Sequence, residues 1–344
     1  GEGRLRPKRH PCRMCPRGAR ARRPTARFKL LALAAVAFFP RRSPPAPTEM
    51  SALTVLVTGG TGAVGTGIVR ALVRNQLKVL GLARSEQSAE KLRALGAEPV
   101  PGELAKLDWH AAVSRSDAVV HAGLDWTAPR ETQKEITRWL MQQAAGKTLV
   151  YTGGTWCFGD GEHTEESPLE RGHGWDWMIE DIEAVLEADS FRGIVVNPPR
   201  VYGWDPATGE CTGWLRAHVE ELRSRGSLQI VGSPSRRQAV GHADDVGEVY
   251  AAALLRGKAG RMYNAGAIST TSGEMAAAAA AVAGVSPLKM EVIGLSTAVE
   301  RMGASGRGCN MDQVLRSPAI EALGWRPAHR TLPGAPPQED GGAA

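Results

Sequence analysis

The stretch VLVTGGTGAVGTGIVRALV, Val55 to Val73, spaces glycines at 59, 62 and 65, with Gly60, Thr61, Ala63 and Val64 completing the turn. That spacing suits a pyrophosphate. The first glycine permits a tight turn, the second lets backbone N–H groups approach phosphate oxygens, and the third lets a helix pack against its strand. The helix N-terminus adds partial positive charge. Arg84-Ser85 closes the next apolar run, Lys78–Ala83. An NAD-selective site favours an acid there, for the ribose 2′-OH, whereas an arginine suits a 2′-phosphate. The expected cofactor is therefore NADP, with NAD second. Metal chemistry is not expected. Cys12 and Cys15 form a lone C-x-x-C beside His10, and a structural zinc site wants four ligands. Asp244-Asp245 lacks further ligands and reads as a cap.

The elements that must position the turn are legible around it. Leu53–Val57 is a short β-branched run, and Ile68, Val69, Leu72 and Val73 recur at helical spacing. Strand, glycine turn and helix in succession make the turn specific for a dinucleotide. Further strands are predicted at Lys78–Ala83, Ala97–Val100, Asp117–His121, Thr148–Tyr151 and Ile194–Val196, and helices at Ala89–Leu95, Arg130–Ala145 and Asp176–Ala188. Strands alternating with helices imply an α/β fold, a Rossmann doubly wound parallel sheet covered on both faces. Residues 50–200 read as the NAD(P)-binding domain and 201–333 as a smaller C-terminal α/β substrate lobe with return elements. Residues 334–344 read as a disordered tail. Thr271–Val285, alanine-rich, reads as a helix of the lobe without chemistry.

The net charge of +6 invites a nucleic-acid reading until it is divided along the chain. Residues 1–49 hold 13 Lys/Arg against two acids, and the remainder holds 29 basic against 34 acidic residues, a net of −5. No basic face is left for a phosphate backbone, so direct nucleic-acid binding is not expected. Phe28–Phe39 is apolar over about a dozen residues, short of the ~20 that cross a bilayer, and no membrane partner is expected. Residues 1–49 read as a leader, a transit segment or a translated upstream region. With Met50 as the working start the expected compartment is the cytoplasm; a genuine transit peptide implies chloroplast or mitochondrion. Five cysteines at irregular spacing make no disulfide framework.

Taken in order, the motifs resemble the extended short-chain dehydrogenase/reductases, the NAD-dependent epimerase/dehydratase family, over about residues 53–333. TGGTGAVG is similar to the family's TGxxGxxG turn, and GLARSEQSAEKLRALGAEPVPGEL to its second βα unit. DAVVHAG resembles its fourth strand, YTGGTWCFGDG the fifth strand and active-site loop, and NPPRVYG the sixth. VGHADDVGEVYAAAL resembles the segment closing the substrate domain, GRMYNAG a late strand, and ALGWRP the C-terminal LGWxP. The resemblance implies that Glu103-Leu104 faces the adenine, and that His121, Ala122, Gly123, Thr152 and Pro198 border the cofactor. It also puts Trp126, Trp156, Trp175 and Trp204, with Trp177 and Trp214, around the substrate cleft. There they serve as stacking walls for a flat or sugar-like ligand or as core.

The departures bear on activity. In active members a Ser or Thr, a Tyr and a Lys four residues later form the catalytic set. Alignment on the resemblance puts Gly154 at the serine, Trp175 at the tyrosine and Ile179 at the lysine, with Glu183 four residues on. No lysine lies between Thr148 and Lys258. Indole N–H is no acid at neutral pH, and isoleucine carries no cation. Thr155 is the candidate to orient a carbonyl and Tyr202 the candidate general acid. Asp176 reads as a helix cap, His163 and His173 as mobile loop residues, and His242 with Asp245 as orienting the lobe. Gln238 replaces the arginine that grips the pyrophosphate in nucleotide-sugar epimerases. The expected activity is an NADP-dependent oxidoreductase or isomerase with a non-standard site, acting on a small carbonyl or sugar-like molecule. A catalytically inactive NADP(H)-binding sensor or scaffold, and an RNA-associated structural member, are the alternatives. Homodimerisation stays open.

Overall fold

The structure, a computed structural model, describes residues 53–124 and 130–334. Its first strand, β1 (Thr54–Thr58), has Val55, Leu56 and Val57 wholly buried. A run apolar on both faces belongs in the middle of a parallel sheet covered on both sides. The glycine turn leads into α1 (Ala63–Arg74), followed by β2 (Lys78–Ala83), α2 (Glu86–Ala94), β3 (Glu98–Pro101) and the short α3 (His110–Ser114). Next come β4 (Ala118–His121), α4 (Arg130–Gln143), β5 (Thr148–Thr152) and a single helical turn at Thr155–Phe158. β6 (Gly161–His163), α5 (Asp176–Leu186) and β7 (Arg192–Asn197) complete the first part.

The remainder runs β8 (Arg200–Trp204), β9 (Cys211–Thr212), α6 (Gly213–Arg225), β10 (Leu228–Val231), β11 (Arg237–His242) and α7 (Ala243–Arg256). It continues through β12 (Arg261–Asn264), β13 (Ile268–Thr271), α8 (Ser272–Ala283), β14 (Met290–Ile293), α9 (Leu295–Met302), α10 (Ala304–Asn310), β15 (Gln313–Leu315) and α11 (Pro318–Glu321). The main sheet has the order β3-β2-β1-β4-β5-β7-β12, with every pairing parallel. The chain winds outward from β1 to β3, then restarts at β4 on the other side of β1. Ligands in open α/β sheets bind in the crevice at such a switch point.

One core lies between the sheet and α1, α2 and α7; a second lies on the opposite face under α3, α4 and α5. A third holds the smaller sheet, β13-β11-β8-β9, against α6 and α8. α1 and α7 meet backbone to backbone, because a Cβ on Gly67 would strike the Ala243 carbonyl and one on Gly247 would strike Gly67. The late strand anticipated at GRMYNAG is β12, an edge of the main sheet. His163 departs from its reading as a mobile loop residue. It ends β6, which pairs in parallel with β15, and its ring stacks on Phe158 at 5.5 Å. Among the described residues no helix is long and apolar enough to cross a membrane.

Candidate active site

A single cleft of about 840 Å³ runs along the C-terminal ends of β1, β2, β4 and β5 and on to α5, β8 and α6. At its centre is the glycine turn. Gly59 has φ +70, and a Cβ there would lie 2.5 Å from the Ala122 carbonyl oxygen, so only glycine lets the two crossing segments touch. A Cβ on Gly65 would run into the Gly59 carbonyl. Gly62 caps α1 with no side-chain hydrogen bond, which leaves the first-turn N–H groups to an anion in the cleft. Thr61, Ala63 and Val64 line the cleft; Gly60 does not, since it faces Leu92 and Val69. A dinucleotide pyrophosphate fits this cradle.

Arg84 and Ser88 line the cleft at the end of β2, joined by Glu103 and Leu104 from the loop after β3. Ser85 caps α2, accepting a hydrogen bond from Ser88 N–H. Glu86 is held by Arg93 at 2.6 Å and Glu103 by Lys106 at 2.7 Å. Ser88 was not anticipated; a hydroxyl one helical turn beyond Arg84 was the available sign. His121, Ala122 and Gly123 form the opposite lip. His121 Nδ1 is 2.8 Å from Thr58 Oγ1, which also accepts the Gly123 N–H at 3.2 Å. Burial pushes His121 down to about 4, so the ring is neutral at physiological pH.

Beyond them lie Thr152, Thr155, Trp156, Trp175 and Pro198, all lining the cleft. Thr152 Oγ1 accepts a hydrogen bond from Tyr250 at 2.8 Å. Thr155 is buried in the turn after β5, and its carbonyl accepts from Gln313 Nε2 at 2.8 Å. Trp156, Trp175 and Trp177 follow one another at centroid distances of 5.4 and 6.4 Å. Trp175 is both wall and core, nearly buried at the start of α5 yet lining the cleft. Ile179, one turn further on, is buried away from it. Asp176 lies just inside α5, and its Oδ1 accepts the Gly172 N–H at 2.9 Å. Cys157 also lines the cleft, but burial pushes its thiol up to about 12, which leaves no thiolate nucleophile.

Two further expected residues, Tyr202 and Trp204, fall elsewhere. Tyr202 does not line the cleft: its hydroxyl donates to the Thr331 carbonyl at 3.2 Å, and its ring packs edge-on against Trp214 and His242. An alternating strand sends Tyr202 into the lobe core, away from the crevice. Trp204 is 37% exposed and borders a separate cavity of about 170 Å³ behind the glycine turn. Trp126 lies outside the described residues. His242 caps α7, accepting from Asp244 N–H, while Asp245 accepts N–H bonds from Ala328 and His329.

The tertiary structure also assembles a group that the sequence reading missed. Tyr151 and Thr137 line the cleft, and both donate to Asp181 Oδ2, at 3.1 and 2.8 Å. Burial pushes Asp181 up to about 6, against the opposing pull of those two hydrogen bonds. The same burial, with the Asp181 charge, raises the Tyr151 phenol well above its ordinary range. The available signal was an acid on the apolar face of α5, in line with Met178 and Val185.

Residues 55–266 match the NAD dependent epimerase/dehydratase family. An uncharacterized protein of Schizosaccharomyces pombe is 26% identical over 300 residues, covering 81% of this chain and 97% of its own. A 4-hydroxy-2-methyl-3-oxo-4-farnesyl-3,4-dihydroquinoline-1-oxide ketoreductase of Stigmatella aurantiaca is 26% identical over 231 residues, covering 61% and 67%. A solved dTDP-glucose 4,6-dehydratase of Bacillus anthracis, in complex with NAD, superposes with a TM-score of 0.66 at 16% identity, covering 81% of this chain and 93% of that one.

Proposed function

This chain belongs to the NAD dependent epimerase/dehydratase family, and on that premise we propose that it is an NADP-dependent oxidoreductase of small, flat carbonyl compounds. Its proton is handled by groups other than the usual Tyr-x-x-x-Lys pair. The observation that carries the reading is the continuity of one cleft from the glycine cradle to the Tyr151–Asp181 hydrogen bond. Residues 50–200 hold the cofactor and the lobe of 201–333 adds substrate contacts. Arg84 and Ser88 receive the 2′-phosphate; an acid in their place would favour NAD. The bound dinucleotide supplies or accepts the hydride.

The chain's own groups do the rest. Thr155 orients the substrate oxygen. In the oxidising direction the substrate hydroxyl proton passes to Tyr151 Oη while the Tyr151 proton passes to Asp181 Oδ2; reduction runs the same path backwards. Thr137 holds the carboxylate in place. Trp156, Trp175, Trp177 and Met178 supply an apolar wall, which favours a flat carbonyl compound over a hydroxyl-rich sugar.

Protein-fluorescence quenching by NADPH and NADH tests the cofactor, and NADPH consumption with a panel of aryl ketones and aldehydes tests the reaction. Absence of binding at millimolar cofactor would end this reading. Tight binding with no turnover of any carbonyl would favour the alternative of a cofactor sensor or scaffold, for which the apolar Ile179 at the expected lysine position is the supporting observation.

A further inference from the structure

The cleft carries two cations at opposite ends, Arg84 after β2 and Arg200 at the start of β8. If the dinucleotide occupies the Arg84 end, Arg200 remains to be explained. Among the described residues it has no carboxylate within ion-pair distance. Among those residues its side chain makes one hydrogen bond, a long one of 3.5 Å from Nη1 to Gln238 Oε1. Gln238 is itself buried and fixed, donating through Nε2 to the Met311 carbonyl at 2.8 Å. A guanidinium that faces a partly enclosed cleft and meets only an amide oxygen has most of its donor fork free for a ligand.

A second observation comes from α6. Trp214 lines the same cleft and is 7% exposed, yet among the described residues its buried indole N–H has no acceptor. An orphaned buried donor carries a desolvation cost that a ligand oxygen would relieve. Next to it, at a ring distance of 5.4 Å, is His218, whose buried Nδ1 is also unpartnered. Burial and the nearby Arg200 charge push that imidazole down to about 3, so it stays neutral and adds no competing cation. The surroundings thus offer one planar cation and one neutral N–H donor, with no acid among the cleft-lining residues at that end.

We propose that Arg200 and Trp214 form a subsite for a carboxylate borne by the substrate, which makes the substrate an aryl or similarly flat carboxylic acid. A guanidinium fork matches two coplanar oxygens, and the tryptophan wall suits the apolar body. Two coplanar oxygens fill one guanidinium edge, and the Trp214 N–H adds a third hydrogen bond to one of them. This assignment builds on the oxidoreductase reading only in sharing its cleft.

The test is calorimetric titration of the full chain, with and without NADP⁺, using naphthoate, naphthamide and naphthyl phosphate. Naphthoate should bind tighter than naphthamide by about tenfold or more, the scale of a charge-assisted pair. Arg200→Gln should erase that preference, weakening naphthoate far more than naphthamide. Trp214→Phe, which keeps the ring and removes the donor, should weaken naphthoate more than naphthamide and serves if the arginine variant fails to fold. Equal affinities in the natural chain, a preference surviving in Arg200→Gln, tighter binding of the phosphate, or no binding at millimolar probe would each overturn the proposal. Cofactor binding without a naphthoate preference would sink the subsite alone. A preference without cofactor binding would sink the oxidoreductase reading and leave the subsite standing.

Discussion

Asp181 is where a single residue changes what the cleft can do. The carboxylate is buried, receives two hydroxyl donors, and is shifted up to about 6. A relay ending there has a defined pH sense. Oxidation needs the carboxylate, so its rate should rise as pH increases through about 6; reduction needs the acid and should fall over the same range. Asp181→Asn should flatten both limbs, and Tyr151→Phe should cut turnover by ~10²–10⁴-fold, the usual worth of general acid–base catalysis. NADPH titration provides the control, because neither variant should change cofactor affinity. A pH profile retained in Asp181→Asn would reject the relay. Arg84 is the other residue with a separable effect. Arg84→Ala should weaken NADPH binding by about tenfold to a hundredfold, with NADH barely affected, since only a 2′-phosphate loses a charge-assisted contact. Equal losses for the two cofactors would remove the NADP assignment.

At the scale of elements, the turn after β5 is held by a strand more than 150 residues away in sequence. Gln313 of β15 is buried and donates to the carbonyls of Thr155 and Gly159. Replacing it with leucine removes a donor from two carbonyls in a buried turn, at a cost on the order of 1–3 kcal/mol. Gln313→Leu should therefore lower the melting temperature and raise hydrogen exchange over 154–159 ahead of the main sheet. Uniform loss of protection across the sheet would count against a local clamp. α5 illustrates the converse, in which one element carries several jobs. Its face toward the sheet holds Met178, Ile179, Ile182 and Val185, and the same face carries Asp181. Helical periodicity marks that face as buried, and the acid on it as needing partners, but periodicity does not say which partners. The partners, Thr137 and Tyr151, arrive from α4 and β5.

Across the whole molecule, buried titratable groups pull stability in opposite directions. His121 and His218 are pushed down to about 4 and about 3. Each therefore supports the fold above the ordinary histidine value of about 6.5, and that support is lost as pH falls through the shifted values. Asp181 is raised, so its contribution is present at low pH and lost as pH rises through about 6. Asp181→Asn should gain stability over the natural chain on going from pH 4 to pH 8, by on the order of 3 kcal/mol; urea unfolding at the two pH values measures the difference. No change in that gap would place the carboxyl in a more solvated setting. What the sequence determined by itself was local: the glycine turn, the strands and helices around it, the arginine that follows β2, and the family to which they belong. Those features depend on neighbours within a few residues, on turn sterics and on apolar periodicity. What only the tertiary structure decided was convergence: Tyr202 turned into the lobe core, Trp204 behind the glycine turn, Tyr151 and Thr137 on Asp181, and Arg200 beside Trp214 in one cleft. Those outcomes depend on which face of each strand and helix the packed layers bury, and residues far apart in sequence settle that together.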